Sequence, residues 1–375
     1  MSTPAQVHAQ IPDGVVSLAD HEVAAHTRLD ANAWAYFSGG AADEITLHAN
    51  QSAWQQLRLQ PRVLQNLQGG HTRVALLGRT LAHPIFLAPV AYQRMAHPDG
   101  EVATACAASA QEAGLVFSTQ ASVLLETVAQ VVVGDRDRGP LWFQLYMTHD
   151  RGFTRELVQR AEQAGFEALV VTVDAPVNGA RDRERRVGFG LPSGVSAVNL
   201  AGLLPASALP LGPGQSALFD GLLRTATTWA DIEWLLSQTR LPVLLKGVLH
   251  PDDARLAMQL GVAGLIVSNH GGRTLDTAPS TAAVLPRIRQ ALGADVPLLV
   301  DGGIRRGTDV LKAMALGANA VLIGRPYLYG LANAGALGVA HVLRLLRDEL
   351  EIAMALCGCA TLAQASPACL FEPPR

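Results

Sequence analysis

The segment Leu260-Gly-Val-Ala-Gly-Leu-Ile-Val-Ser-Asn-His-Gly-Gly-Arg-Thr-Leu-Asp276 contains a helix end, a buried strand and a polar strand end in direct succession. Gly261 is the residue type that helices prefer just after their last turn. The apolar run 263–267 predicts a short buried strand. His270 and Arg273 follow it, separated by two glycines that would let the backbone approach a flat or phosphorylated ligand. A single histidine is usually a hydrogen-bonded core or surface residue, but these neighbours favour a functional site.

The same helix-to-strand join recurs at Ala164-Gly-Phe166 and Leu316-Gly-Ala318. Near-continuous apolar strands that alternate with helices are typical of a parallel sheet. Eight such units in about 240 residues predict an α/β fold with a closed (β/α)8 barrel, the TIM barrel. The eight apolar runs are residues 85–88, 115–117, 141–146, 168–174, 242–246, 263–267, 297–301 and 319–324.

The length of the chain allows one large α/β barrel or two smaller domains, and the eight strand–helix units lead us to expect one domain over residues 1–375. Its predicted parts are a polar tail at 1–14, helices before the barrel, the barrel at 84–325 and C-terminal helices at 330–365. The long loop 175–227 after the fourth strand is either a lid or disordered, since loops of this length are unusual in compact domains. A membrane-contacting patch is the alternative, although no basic flank or amphipathic period supports it.

Composition excludes several classes of protein. With 49% hydrophobic and 16% charged residues, the chain can bury a large core, and its net charge of −3 offers no basic face for nucleic acid. No signal peptide and no apolar run of transmembrane length is visible, so we expect a cytoplasmic protein without membrane contact. The four cysteines lack zinc-ligand spacing. Cys357-Gly-Cys359 is interpreted as an ordinary reduced pair, with a redox or metal role as the alternative.

Polar or charged residues follow nearly every predicted strand. In barrels of this kind the active site lies at the carboxyl ends of the strands, so these side chains should meet in one polar pocket. The residues are Ser118, Gln144, Tyr146, Thr172, Asp174, Lys246, His270, Asp301 and Arg325.

Two parts of this pocket follow from residue chemistry. Asp301-Gly-Gly303 and Ile323-Gly-Arg325 close the seventh and eighth strands, where barrels often bind phosphate through exposed backbone N–H groups. His270 could act as a general base, with Asp174 orienting its imidazole. Lys246 would add a fixed positive charge between this pair and the phosphate end. The alternative for Lys246 is a buried salt bridge.

Six motifs together resemble the FMN-dependent α-hydroxy acid oxidase and dehydrogenase family, which includes glycolate oxidase, lactate oxidase and mandelate dehydrogenase. The resemblance extends in order over roughly residues 15–365. The motifs are Ser-Asn-His-Gly-Gly-Arg-Thr-Leu-Asp at 268–276, Leu-Pro-Val-Leu-Leu-Lys-Gly at 241–247, Phe-Gln-Leu-Tyr at 143–146, Thr-Val-Asp-Ala-Pro at 172–176, Asp-Gly-Gly-Ile-Arg-Arg-Gly-Thr-Asp at 301–309 and Ile-Gly-Arg-Pro at 323–326.

The resemblance implies a role for each matching residue. His270 would take a proton from the substrate with Asp174 behind it, and Lys246 would stabilise negative charge near N1 and O2 of the flavin. The substrate carboxylate would be held by Arg181, Arg273 and Tyr36, although Tyr36 judged alone is a packing residue. Tyr146 would face the substrate oxygen. Pro89, Val90, Ala91, Ser118, Gln144, Thr172 and Ser268 would line the flavin, and Gly271, Asp301, Gly303, Arg305, Gly324 and Arg325 would hold its ribityl and phosphate parts.

The implied reaction is oxidation of a small L-2-hydroxy acid to the 2-oxo acid, with O2 as acceptor and H2O2 as product. A quinone-type acceptor, an isomerase of the type 2 isopentenyl diphosphate class and a non-catalytic flavin-binding barrel are the alternatives. The family also suggests a homotetramer. Gln120 stands where short-chain oxidases often carry Trp, and Tyr92 where glycolate oxidase has Met. The smaller Gln120 could admit an aryl side chain, so the choice among lactate, glycolate and mandelate stays open.

Overall fold

A closed barrel of eight parallel strands forms the centre of the computed structural model, which describes residues 10–204, 211–212 and 214–371. Each predicted apolar run coincides with one strand, and only β4 extends beyond its run, so the predicted TIM barrel is confirmed. After a short antiparallel pair, β1 (Val74–Leu76) and β2 (Arg79–Leu81), the barrel strands are β3 (Ile85–Leu87), β4 (Gly114–Ser118), β5 (Leu141–Leu145), β6 (Ala168–Thr172), β7 (Val243–Lys246), β8 (Gly264–Val267), β9 (Leu298–Val300) and β10 (Ala320–Ile323).

Alternate strand residues fill the inside of the barrel. Phe86 and Trp142 pack there with ring centroids 4.7 Å apart. Leu76 and Leu81 of the β1–β2 pair join the same apolar cluster, so this pair closes the end of the barrel from which β3 starts. The β1–β2 pair is not predicted from the sequence, because strands of three residues carry too little periodicity.

Helices surround the barrel and join the strands as predicted. Gly165, Gly261 and Gly317 follow helix ends with φ of 89°, 92° and 100°, a backbone region that glycine enters without strain. These helices are α4 (Gly100–Ala110), α5 (Leu125–Val132), α6 (Arg151–Ala164), α8 (Trp229–Leu236), α9 (Pro251–Gln259), α10 (Thr281–Leu292) and α11 (Gly307–Ala315).

Three helices precede the barrel: α1 (Leu18–Arg28), α2 (Ala31–Ser38) and α3 (Ile45–Gln56). Helix α1 packs against the C-terminal helix, whereas α2 and α3 lie over the carboxyl ends of the strands. The predicted break falls between α2 and α3. From α3, Trp54 Nε1 donates to the carbonyl of Gly302 at 2.8 Å, and the amides of Asn50 and Asn269 donate to each other, each at 2.8 Å. These bonds fix α3 over the ends of β8 and β9. Of the predicted tail at 1–14, residues 1–9 lie outside the described part.

The C-terminal helix α12 (Arg325–Leu356) begins before residue 330, where the sequence analysis started it, because Pro326 suits a first helical turn. It is kinked at Ala334 and Gly335, where φ is −156° and 55°. The two halves meet at glycines: a Cβ on Gly338 would lie 1.9 Å from the carbonyl oxygen of Gly330. The kink therefore divides α12 into two helical segments that pack against each other.

The loop after β6 is anchored near its start. It carries the short helix α7 (Asp182–Arg186), and its residues 205–210 and 213 lie outside the described part. Asn32 Nδ2 donates to the carbonyl of Gly190 at 2.8 Å, and Asn199 is buried between the backbone groups of Val123 and Leu125. Within the described residues, every helix is too short or too polar to cross a bilayer.

Candidate active site

A cavity of about 750 Å³ opens at the carboxyl ends of the barrel strands, within the usual size of a ligand site. All eight strands contribute to it. Two of the predicted site residues lie directly behind the residues that line the cavity. Asp174 contacts His270, and Ser268 contacts Lys246. The others line the cavity: Tyr36, Pro89, Val90, Ala91, Ser118, Gln144, Tyr146, Thr172, Arg181, Lys246, His270, Gly271, Arg273, Asp301, Gly303, Arg305, Gly324 and Arg325.

His270 and Asp174 form a hydrogen-bonded pair. The imidazole Nδ1 lies 2.8 Å from Asp174 Oδ1, and both side chains are largely buried. Because a carboxylate only accepts, Nδ1 carries the proton and Nε2 keeps its lone pair. His270 has a left-handed φ of 57°, which is unusual for a residue with a side chain and typical of functional sites. Gly247 makes room for the pair, since a Cβ there would lie 2.4 Å from Asp174 Cβ.

The electrostatics keep this imidazole neutral at neutral pH. Burial lowers the pKa of His270, and the charges of Lys246 and Arg273 lower it further, while Asp174 opposes the shift. Burial alone would raise the pKa of Asp174, but the interaction with His270 and the positive charge of Lys246 outweigh it, and the pKa falls. A neutral imidazole beside an ionised carboxylate is the state of a general base ready to accept a proton.

Lys246 forms a buried ion pair and also lines the cavity. Its Nζ lies 3.0 Å from Asp301 Oδ2 and donates to Ser268 Oγ at 2.8 Å. Burial lowers the pKa of Lys246, but Asp301 and Asp174 more than offset this, so the amine stays charged. The buried salt bridge and the cavity cation, alternatives in the sequence, therefore coexist. Asp301 Oδ1 is buried without a hydrogen-bond partner among the described residues, so it can accept a hydrogen bond from a group in the cavity.

Two guanidinium groups line the part of the cavity next to the end of α2. Arg273 donates through Nη1 to the carbonyls of Tyr36 at 2.6 Å and Gly39 at 2.9 Å, and its guanidinium lies 5.0 Å from the Tyr36 ring centre. Glu184 Oε1 accepts from Arg181 Nη1 at 3.1 Å and from Arg273 Nη2 at 3.3 Å. Glu184 was not among the residues predicted from the sequence. Its only signal is the i,i+3 spacing from Arg181 in a run of alternating charges.

Aromatic rings line the same end. Phe189 stacks on Tyr36 with centroids 5.0 Å apart, and Tyr92 lies 5.9 Å from Tyr36. Burial raises the pKa of Tyr36 and of Tyr146, so both phenols keep their protons near neutral pH and can donate. Gln120, singled out in the sequence, also lines the cavity, whereas Phe189 was missed because it lies in the long loop.

The predicted phosphate end gathers glycine backbone and two more arginines. Gly302 and Gly303 have φ of 92° and 81°, and a Cβ on Gly303 would lie 2.2 Å from the carbonyl oxygen of Asn50. Gly324 precedes the first turn of α12, so backbone N–H groups at this helix N-terminus favour an anion. Arg305 lines the cavity nearby.

Arg325 is held by the protein backbone. It donates to the carbonyls of Phe37 at 3.1 Å, Gly271 at 2.9 Å and Gly39 at 2.8 Å. Burial, with help from Arg273, lowers the pKa of Arg325 to about 9, so it stays charged at neutral pH. Three of the five N–H donors that a guanidinium carries are thus used. The remaining donors are compatible with the predicted phosphate contact.

The cysteines and acidic groups form no evident metal centre. Among the described residues, no cluster of three or more His, Cys, Asp or Glu side chains is placed to bind a metal ion. All four cysteines are reduced, and Cys359 Sγ lies 3.6 Å from Cys369 Sγ. Burial raises the pKa of Cys359 to about 12, which argues against a reactive thiolate.

The sequence and the fold of this chain are similar to those of several known proteins. A family model described as FMN-dependent dehydrogenase matches residues 25–372. The chain is 49% identical to an L-lactate oxidase of Alicycliphilus denitrificans, over 94% of this chain and 96% of that protein. It is 42% identical to glycolate oxidase 1 of Zea mays, over 93% and 94%. A solved structure of mandelate oxidase with benzoyl-formic acid superposes with a TM-score of 0.83 at 43% identity, over 95% and 98%.

Proposed function

The chain belongs to the FMN-dependent 2-hydroxy acid oxidase family, and on that premise we propose that it oxidises an L-2-hydroxy acid to the 2-oxo acid with FMN as cofactor and O2 as acceptor. One observation supports this above all others. The same cavity holds an imidazole with an available Nε2, oriented by Asp174, and two guanidinium groups that can bind a carboxylate. This set of groups is what removal of a proton from a bound hydroxy acid requires.

The residues present fit FMN. Asp301 Oδ1 is a buried acceptor without a protein partner, suited to a ribityl hydroxyl. Gly303, Gly324 and Arg305 surround a place where phosphate could meet backbone N–H groups and a cation. Gln144 Nε2 donates to Thr172 Oγ1 at 3.0 Å and retains one N–H for a ring edge. FMN, when bound, would take up the two electrons that leave the substrate.

The protein's own groups would position the substrate and move the proton. Arg181 and Arg273 bind the substrate carboxylate, which fixes the α-carbon relative to the base. The phenols of Tyr36 and Tyr146 donate hydrogen bonds to the substrate oxygens. His270 Nε2 accepts a proton from the substrate, and Asp174 stabilises the imidazolium that results. Lys246 keeps a positive charge at the place where negative charge accumulates during reduction.

L-Lactate is the substrate that we propose first. The relatives that are 47–49% identical are named L-lactate oxidase, and the stacked Phe189 and Tyr36 narrow the carboxylate end of the cavity. An aryl substrate such as L-mandelate is the second candidate, because Gln120 leaves more room than Trp would and a mandelate oxidase shares the fold. The homotetramer and the cytoplasmic location predicted from the sequence stay predictions.

The test uses purified protein loaded with FMN. Under anaerobic conditions, L-lactate, glycolate and L-mandelate are added in turn, and bleaching of the flavin absorbance is followed by stopped flow. The reduced protein is then mixed with air or with a quinone analogue, and H2O2 is measured. Rapid reoxidation by air with one H2O2 per turnover supports an oxidase. Reoxidation by the quinone alone would make the protein a dehydrogenase, and failure to take up FMN would refute the proposal.

A further inference from the structure

Glu184 lies between the two guanidinium groups that we assign to the substrate carboxylate. Its Oε1 accepts from both Arg181 Nη1 and Arg273 Nη2, at 3.1 and 3.3 Å. The three side chains are similarly shielded, with 16%, 14% and 15% of Glu184, Arg181 and Arg273 exposed. A single carboxylate oxygen therefore bridges two largely buried cations.

The arginine pair needs such a bridge. Two guanidinium groups in one shielded place repel each other, and burial together with Arg273 lowers the pKa of Arg181 to about 10, while Glu184 opposes that shift. A substrate carboxylate would offset the repulsion only while it is bound. Glu184 offsets it permanently, so both cations can be held in place before substrate arrives.

The remaining donors show that Glu184 leaves room for substrate. Arg273 uses both Nη1 hydrogens on the carbonyls of Tyr36 and Gly39 and one Nη2 hydrogen on Glu184, so its Nε–H and one Nη2 hydrogen remain. Arg181 Nε is buried without a partner among the described residues. The donors that are left over can bind a second carboxylate beside Glu184.

We propose that Glu184 is a positioning residue, which holds Arg181 and Arg273 in the orientation that binds the substrate carboxylate. This inference rests on the proposed function, because it takes the two arginines as the carboxylate site. The alternative is that Glu184 occupies that site itself and competes with substrate. The two roles predict opposite changes in the affinity for substrate when the carboxylate of Glu184 is removed.

The test compares Glu184→Gln, Glu184→Ala and Glu184→Asp in the FMN-loaded protein. If Glu184 positions the arginines, Glu184→Gln raises KM for L-lactate by about tenfold, which corresponds to roughly 1.4 kcal/mol of binding free energy, with a smaller change in kcat. Glu184→Ala raises KM more, and Glu184→Asp restores part of the affinity. Asp182→Asn is the matched control, since Asp182 lies on the same short helix and pairs with the exposed Arg185 instead.

Binding without turnover separates this proposal from the proposed function. Pyruvate and oxalate are titrated into each oxidised holoprotein, and dissociation constants are read from the perturbation of the flavin spectrum. An unchanged or lowered dissociation constant in Glu184→Gln would overturn the positioning role, and a lowered one would identify competition. If the wild-type protein binds these carboxylates but no hydroxy acid reduces its flavin, the proposed function fails while the role of Glu184 stands.

Discussion

His270 and His21 are both shielded from solvent, but they are held by different partners. His270 donates to an ionised carboxylate, that of Asp174, and its Nε2 faces the cavity. His21 is a residue of α1 and faces α12. Asn333 Nδ2 of α12 donates to His21 Nδ1 at 3.0 Å, and His21 Nε2 lies 2.9 Å from His341 Nδ1. An amide N–H only donates, so His21 Nδ1 must be the acceptor and Nε2 the donor.

The difference shows what makes a buried histidine a base. A proton arriving at His270 is stabilised by Asp174, whereas a proton arriving at His21 Nδ1 would meet another donor. Accordingly, burial and the neighbouring His341 lower the pKa of His21 to about 4. The His270–Asp174 pair can therefore hold a proton that is taken from a substrate. The His21–His341 pair is stable only while both rings are neutral. Four substitutions test this contrast.

His270→Gln removes the base from the cavity. We expect flavin reduction by L-lactate to slow by about 10²–10⁴-fold, the usual contribution of a general base, while FMN stays bound. Anaerobic stopped flow measures the rate, and the flavin absorbance of the purified variant reports cofactor retention. Reduction within about threefold of wild type would contradict the assignment of His270.

Asp174→Asn keeps the shape of the pair but removes the charge that stabilises the imidazolium. A hydrogen bond to a charged group contributes about 1.5–3 kcal/mol, so we expect reduction to slow by about 10–100-fold. Asp174 raises the pKa of His270, and the net pKa in the wild type lies below 6.5. The acid limb of kcat/KM should therefore lie below pH 6.5 in the wild type and move lower still in the variant. A limb that moves upward would refute this role of Asp174.

The His21 pair should make the fold sensitive to acid. Because the pKa of His21 is lowered in the folded state, its stabilising effect is complete above the unfolded pKa of about 6.5 and is lost as the pH falls towards 4. We expect the free energy of unfolding to fall by about 1–3 kcal/mol over this range, measured by urea titration. His21→Gln, which cannot titrate, should show a shallower decline with unchanged flavin reduction. Buried His83, whose pKa is also lowered to about 4, should account for part of what remains.

His250 and Asp252 repeat the residue types of the catalytic pair on the surface. Nδ1 and Oδ2 are 3.7 Å apart, and about two thirds or more of each side chain is exposed. His250→Asn keeps an acceptor for the backbone N–H of Asp252 at the start of α9. We expect a change of less than about 0.5 kcal/mol in stability and none in flavin reduction. A larger effect would show that the residue types alone, without burial, determine the strength of such pairs.

The strands and their polar ends could be predicted from the sequence because each depends on residues adjacent in the chain. Gly261, the apolar run after it and His270 form one continuous signal, and eight repeats of that signal define a barrel. The geometry between strands then follows, because parallel strands end at the same face. The placement of His270, Lys246 and Asp301 around one cavity agrees with this reasoning, while their chemical roles stay proposals.

The remaining features depend on contacts between distant residues or on side-chain direction. In Arg-Asp-Arg-Glu-Arg at 181–185, the sequence does not show which charge faces the cavity, so Glu184 could not be separated from its neighbours. The pairing of His21 with His341 joins residues from opposite ends of the chain. The backbone bonds of Arg325 depend on where α2 ends in space, which no local pattern indicates.

Helix α2 ends over the cavity with no basic residue of its own in the last turn. The carbonyls of Tyr36, Phe37 and Gly39 are instead bound by Arg273 and Arg325, which follow the sixth and eighth barrel strands. During synthesis, the end of α2 therefore emerges long before the cations that complete it. Contacts of such large sequence separation form slowly. Refolding should thus restore helical and strand content first, and the ability to bind a carboxylate only when the end of α2 has packed against Arg273 and Arg325.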